Sequence, residues 1–258
     1  MSSSNKQGFS LIELSIVILI LGLLVVTVVV GRDLVRAGEL RGIITQLNTF
    51  ETGVRTFELK YSGIPGDIAN ASNRGLGSND GDGDGLIKPT AAGETTSEVV
   101  YFWEHLGEAD IVPGDYDGSS QAVLGTTFPR VNGDEMGYMV YSSGTSNYYH
   151  IGAVSNAAAS DVMLYNDSFV PEDAFAIDEK IDDGLPLKGS IVARLSDCTG
   201  GTANAFSCID QAIALNDGAS TTDGTTCVAV IGSAIDVDAD QYDFDTTTES
   251  CTLRVDFN

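Results

Sequence analysis

The sequence predicts an α+β fold: a long N-terminal α-helix, membrane-spanning in its first half and amphipathic in its second, packed on a globular domain with an antiparallel β-sheet. Three observations predict it. Phe9–Gly31 is an apolar run of 23 residues that carries one charge, Glu13. Beyond it, apolar residues recur at three- and four-residue steps with no proline before Pro65, the signature of a single buried helical face. The rest of the chain is rich in glycine, with short aromatic and β-branched stretches set between turn residues, as in strands joined by hairpins. Helix first and strands later is an α+β order.

The chain has 258 residues, enough to bury a core. Its 13 basic residues face 37 acidic ones, a net charge of −24. The basic residues are scattered, so a phosphate backbone meets repulsion everywhere, and nucleic acid is excluded as a partner. Only two histidines are present, and the sequence contains no H-E-x-x-H, G-x-S-x-G or P-loop. The chain reads as a structural protein and not an enzyme.

Met1–Gly8 is polar, with Lys6 its single basic residue. The apolar run that follows reaches about 35 Å as a helix, enough to cross a bilayer core. A secretory signal has a shorter apolar stretch and a small-x-small cleavage site after it, and neither is found here. A carboxylate near the start of such a run is costly in lipid and marks a functional residue with a partner.

Gly8-Phe9-Ser10-Leu11-Ile12-Glu13-Leu14 resembles the processing site of type IV pilins and of the pseudopilins of type II secretion. The resemblance covers residues 1–35 closely, with cleavage-site glycine, aromatic residue, glutamate and apolar run in fixed register. It implies that a prepilin peptidase cuts between Gly8 and Phe9, that Phe9 becomes N-methylated, and that Glu13 is the assembly residue. Cleavage frees an α-amine on Phe9. A neighbouring subunit's Glu13 would pair with it among apolar helices, where an unpaired charge is expensive and a paired one much less so. Packing of leucine, isoleucine and valine supplies most of the adhesion.

Past Gly31, the charged residues Arg32, Asp33, Arg36, Glu39 and Arg41 mark the exit from the membrane. Leu34, Leu40, Ile43, Ile44, Leu47, Phe50, Val54 and Phe57 form the expected buried face. One helix runs to Ser62, with Gly22, Gly31, Gly38 and Gly42 as weak points. It ends at Ser62-Gly63-Ile64-Pro65-Gly66. The expected organisation is a leader at 1–8, a transmembrane or filament-core helix at 9–31, its amphipathic continuation at 32–62 and a globular domain at 63–258.

Within that domain, residues 63–93 form a long surface loop. Thr95 and Glu98 have capping-box spacing ahead of a short helix that ends near Asp110. Val99, Phe102, Trp103 and Leu106 line one face of it, with Trp103 a core anchor and His105 opposite, on the surface. Residues 137–142 and 147–154 form a hairpin, and His150 is a strand residue without chemistry. Pro171-Glu172-Asp173 opens a second helix that ends at Asp182-Asp183-Gly184. Residues 190–195, 226–231 and 252–257 read as further strands.

Cys198, Cys208, Cys227 and Cys251 all lie outside the helix, an even number that suggests two disulfides in an oxidising compartment. Of the three pairings, Cys198–Cys208 with Cys227–Cys251 is preferred, one closing a local loop and the other stapling two strands. No C-x-x-C spacing supports zinc.

Asp80, Asp82 and Asp84 with Gly85 and Leu86 form D-x-D-x-D-G followed by apolar residues, the first half of an EF-hand-type calcium loop. Alternating carboxylates on a glycine-bent turn converge on one hard cation, and the Leu86 carbonyl points inward. Position twelve of such a loop is Ala91, so Glu94 or Glu98 would have to complete the sphere. The acidic run Asp236-Val237-Asp238-Ala239-Asp240, with Asp243 and Asp245, reads mainly as a solvated strand edge.

The leading functional expectation is a structural subunit of a type IV-like pilus. Its partners are the membrane before assembly, prepilin peptidase, an inner-membrane assembly platform and copies of itself or related pilins. The precursor sits in the inner membrane and the product in an extracellular pilus or periplasmic pseudopilus. The alternatives are a pseudopilin of a type II secretion system and a membrane-anchored, calcium-dependent adhesin or binding module.

Overall fold

The structure is a computed structural model. It describes residues 10–88, 98–119, 123–131, 136–143, 146–156, 163–166, 168–194, 227, 241–245, 247–248 and 251–257. Three α-helices are found among them, α1 (Leu11–Tyr61), α2 (Glu98–Glu108) and α3 (Pro171–Ile181), and a short 3₁₀ helix at Ser72–Arg74. The strands are β1 (Met136–Ser143), β2 (Ser146–Asn156), β3 (Met163–Asn166), β4 (Ile191–Arg194) and β5 (Thr252–Asp256).

Helix α1 is unbroken over 51 residues. The chain divides into two compact units, Met1–Gly42 and Ile43–Asn258, so the boundary falls inside this helix. In the first unit its apolar side chains are exposed, from Leu11 to Val35. Leu34, expected on the buried face, is 69% exposed; the packed stripe begins only where the second unit does. There Ile43, Leu47, Phe50, Val54 and Phe57 are all buried, at the alternating four- and three-residue steps that keep one helical face toward a core. The helix ends at Ser62, which takes a left-handed φ of 57°. Arg74 Nη1 donates to the Tyr61 carbonyl at 2.8 Å, satisfying an orphan acceptor of the last turn.

The strands form one antiparallel sheet in the order β1-β2-β5-β4, and β3 also pairs with β2. The length of β2 makes this possible. Residues 148–151 pair with β5 and residues 153–156 with β3, while β1 runs along the opposite edge. The register stacks apolar pairs on the face toward α1: Tyr138 with Ile151, Val140 with Tyr149, Tyr149 with Val255, Ile151 with Leu253, and Ala193 with Leu253. All of these side chains are buried. Such cross-strand pairs are the unit of sheet stability.

Helix and sheet meet through aromatic edges. The Phe50 ring lies 4.9 Å from both Trp103 and Tyr138. The buried Tyr138 hydroxyl lies 3.2 Å from the Ile43 carbonyl oxygen and 3.2 Å from Gln46 Oε1; burial pushes the phenol well above its ordinary pKa. Trp103 is fully buried, as a core anchor must be.

The hairpin and the second short helix lie where the residues place them. β3 had no distinct signal in the sequence. Of the strand expected at 226–231 only Cys227 belongs to the described residues. Cys227 and Cys251 are disulfide-bonded, 5.0 Å apart at Cα, and Cys251 directly precedes β5. Cys198 and Cys208 lie outside the described residues.

Candidate functional site

Gly8 and Phe9 lie outside the described residues, and the helix begins just past them. Its entry is a capping box, in which a serine and a glutamate three residues on satisfy each other's end of the first turn. The Ser10 N–H donates to Glu13 Oε2 at 2.9 Å. In return Ser10 Oγ accepts from the Ile12 N–H at 3.4 Å. Around and beyond this box the side chains Leu11, Ile12, Leu14 and Ile16–Leu21 are exposed. The helix is long and apolar enough to cross a membrane. Glu13 thus stands at the end of an apolar rod, with an acceptor oxygen already engaged by its own backbone.

The acidic loop is built differently from the sequence expectation. Its backbone wraps around Asp67, a residue of the turn after α1 that is only 4% exposed. Asp67 Oδ1 accepts from the Gly83 N–H at 2.8 Å and the Asp84 N–H at 3.0 Å, and Oδ2 from the Gly85 N–H at 2.8 Å. Gly83 and Gly85 take positive φ to aim those amides inward, and a side chain on Gly81 would run into the Asp67 backbone. Burial pushes the Asp67 carboxyl up, against the pull of these three bonds.

Asp82 and Asp84 each bond the N–H two residues on, at 2.9 Å. Asp84 also ion-pairs with Lys88, and the Lys88 hydrogen bond holds its carboxyl below the usual range. One carboxylate oxygen from each of Asp67, Asp82 and Asp84 lies within 4.8 Å of the others. Asp80 lies apart from that group: its Oδ1 accepts from the Ser72 N–H at 2.8 Å, which lowers its pKa. The Leu86 N–H donates to Asp84. Glu94 and Thr95 lie outside the described residues.

Helix α2 forms the bed under this loop. Glu98, expected as a cap or a ligand, accepts from the Asp82 N–H on Oε1 and from the Lys88 N–H on Oε2, each at 2.9 Å. Burial drives its pKa up to about 7. Glu104 accepts from the Ser78 N–H at 3.0 Å and from Asn79 Nδ2 at 2.6 Å. His105, expected on the surface, is fully buried. The reason is that α2 is covered on both sides, by the core on one and by the loop on the other. A single apolar stripe reveals the first covering and not the second.

A second group, Asp178, Asp182 and Asp183, gathers at the end of α3. Asp178 is buried and accepts from the Tyr242 hydroxyl at 2.9 Å and the Gly184 N–H at 3.3 Å. Burial raises its pKa to about 6. The run 236–240 lies outside the described residues, while the Asp243 N–H donates to the Cys227 carbonyl at 3.1 Å. His150 stacks on Tyr141, ring centroids 3.9 Å apart, inside the sheet.

Residues 3–29 match the family model of the prokaryotic N-terminal methylation motif. No curated protein matches the chain. No solved structure matches it either. At its N-terminus the chain therefore carries the prepilin-type signal of type IV pilins and pseudopilins, which implies processing by prepilin peptidase and fits an inner-membrane precursor.

Proposed function

We propose that this chain is a structural subunit of a type IV-like pilus filament. Prepilin peptidase cuts between Gly8 and Phe9, the helix leaves the bilayer through an inner-membrane assembly platform, and the exposed apolar half enters a helical core beside those of other copies. One observation carries this reading: the methylation motif coincides with an apolar helical segment whose side chains are exposed and whose first turn holds Glu13. Exposed apolar side chains from Leu11 to Val35 need a covering. Before assembly a bilayer supplies it, and afterwards neighbouring helices do. The Phe9 amine then competes with the Ser10 N–H for the Glu13 carboxylate.

The test is to shear fibres from the native cells and determine whether processed chain beginning at Phe9 dominates them. Its absence from sheared fibres, with the processed chain retained in the envelope, would favour the type II secretion pseudopilin. An uncleaved chain held in the membrane would favour the anchored adhesin.

We also propose calcium as a ligand of the acidic loop. The support is the convergence of Asp67, Asp82 and Asp84; oxygen donors of this kind suit a hard cation. Lys88 is the group a cation would displace from Asp84.

A further inference from the structure

We propose that His105 is a proton-operated clasp: with its ring neutral it ties the turn at Gly66 to the acidic loop at Asn79, and protonation of the ring expels the Gly66 turn while the bond to Asn79 is kept. The bonding assigns the tautomer. The Gly66 N–H donates to Nδ1 at 2.8 Å. A backbone amide only donates, so Nδ1 is bare and the ring proton sits on Nε2. Nε2 faces the Asn79 carbonyl oxygen at 3.1 Å and donates to it.

A second proton goes to Nδ1 and points at the Gly66 N–H. Two donors then confront each other in a site where the ring is fully buried. Gly66 has no room to turn away. It takes a φ of +84°, and a Cβ there would lie 2.5 Å from the Glu98 carbonyl oxygen and 2.9 Å from the Phe102 nitrogen, so its backbone is pressed against α2. Relief comes from parting the Gly66 turn from the helix.

The charged groups whose fields reach the ring are Glu104 on its own helix and Asp80 on the loop, and both favour protonation. From α1, Phe57 presents a parallel ring 6.4 Å away and no charge. Burial opposes protonation more strongly and holds the imidazole below its ordinary 6.5. The clasp is therefore fully closed above pH 6.5, and it weakens as the pH falls toward the folded-state value. Asp67 and Glu98 beside it change in the opposite sense, since their raised pKa values favour the fold as acid is added. Whole-protein melting mixes the two effects, so the readout must be local.

Hydrogen–deuterium exchange on the full chain in detergent micelles, from pH 7 to pH 4 with times scaled for intrinsic exchange, supplies that readout. Relative to His105→Asn, protection of residues 63–68 is expected to fall about tenfold per pH unit below 6.5 until the folded-state pKa is reached, while β1 and β2 stay protected. His105→Asn keeps an acceptor for Gly66 and does not titrate, so it is expected to lose the acid-induced fall and to keep only the opposite trend set by Asp67 and Glu98. The same pH dependence in the native chain and in His105→Asn overturns the clasp and assigns any change to the carboxylates. If His105→Asn does not fold, an imidazole NMR titration of the native chain decides instead. It has only two histidines, and a His105 midpoint that differs from the exchange midpoint overturns the proposal.

Discussion

Glu13 accepts the backbone N–H of Ser10 at 2.9 Å, within its own first turn. The residue expected to recognise a neighbour therefore already has a partner in the single chain. A cap of this kind stabilises a helix end by about 1 kcal/mol. A desolvated amine–carboxylate pair is worth more when its geometry is good, so a neighbour's amine wins only in the correct register. Glu13→Ala removes both interactions. Export, cleavage and melting of the body are expected to stay unchanged while sheared fibres decrease several-fold, measured by immunoblot of processed chain in fibre and membrane fractions. Ser10→Ala removes only the Ile12 contact and is expected to leave fibre yield near normal.

The second prediction concerns pH. Asp178 has a folded-state pKa of about 6 against an ordinary 3.8. A carboxyl whose folded value is raised favours the fold while protonated. Its contribution is complete below about pH 4 and is lost as the pH rises through about 6. Asp178→Asn cannot ionise. The melting temperature of the native chain relative to Asp178→Asn is therefore expected to fall between pH 4 and 6 and to level off above. The Tyr242 hydroxyl bond favours the charged form, so Tyr242→Phe should move the fall to higher pH. Thermal melts of the full chain in detergent at half-unit pH steps check both.

Calcium removal is the third. At calcium a hundredfold above its dissociation constant, binding adds about 2.7 kcal/mol to the fold. Chelation is expected to lower the melting temperature of the native chain and to leave Asp82→Ala unaffected. Loops of this type outside cells bind at roughly 0.1–1 mM, so the titration must extend into that range. Identical melts with calcium and with chelator would leave the loop organised by Asp67, Glu98 and Glu104 without a cation.

Reduction tests the staple. The Cys227–Cys251 bridge closes a span of 24 residues, and a loop of that size stabilises by about 3 kcal/mol through the unfolded chain. Cys227→Ser is expected to lower the body's unfolding midpoint in denaturant accordingly and to raise exchange in β5 first, because Cys251 leads into that strand.

What the sequence disclosed follows from how each element is buried. The packed half of α1 was legible because Ile43, Leu47, Phe50, Val54 and Phe57 face one core and repeat with the helix. The hairpin was legible because alternation and a Ser-Gly-Thr-Ser turn specify a register. Asp67 was not. It lies in another turn from the D-x-D-x-D-G motif, and no spacing rule joins a buried carboxylate to the amides it will collect. Glu104 and His105 escaped for a related reason. Polar residues opposite an apolar stripe read as solvated until a loop is laid over them. At the N-terminal end the register of Ser10 and Glu13 with the apolar run is local, so both the motif and its place on the helix could be read directly.

The position of β5 between β2 and β4 governs the order in which the body can close. Residues 148–151 find their partners at 253–256, about a hundred residues further on, and β4 has no place in the sheet until β5 arrives. Long-range pairing of this kind is slow. In an exported chain, the edge of β2 that takes β5 would therefore stay unpaired until residue 256 is through. Through that interval an apolar helix held in a bilayer, as the proposed function requires, would keep the growing chain at the membrane surface and limit its encounters with other unfinished chains.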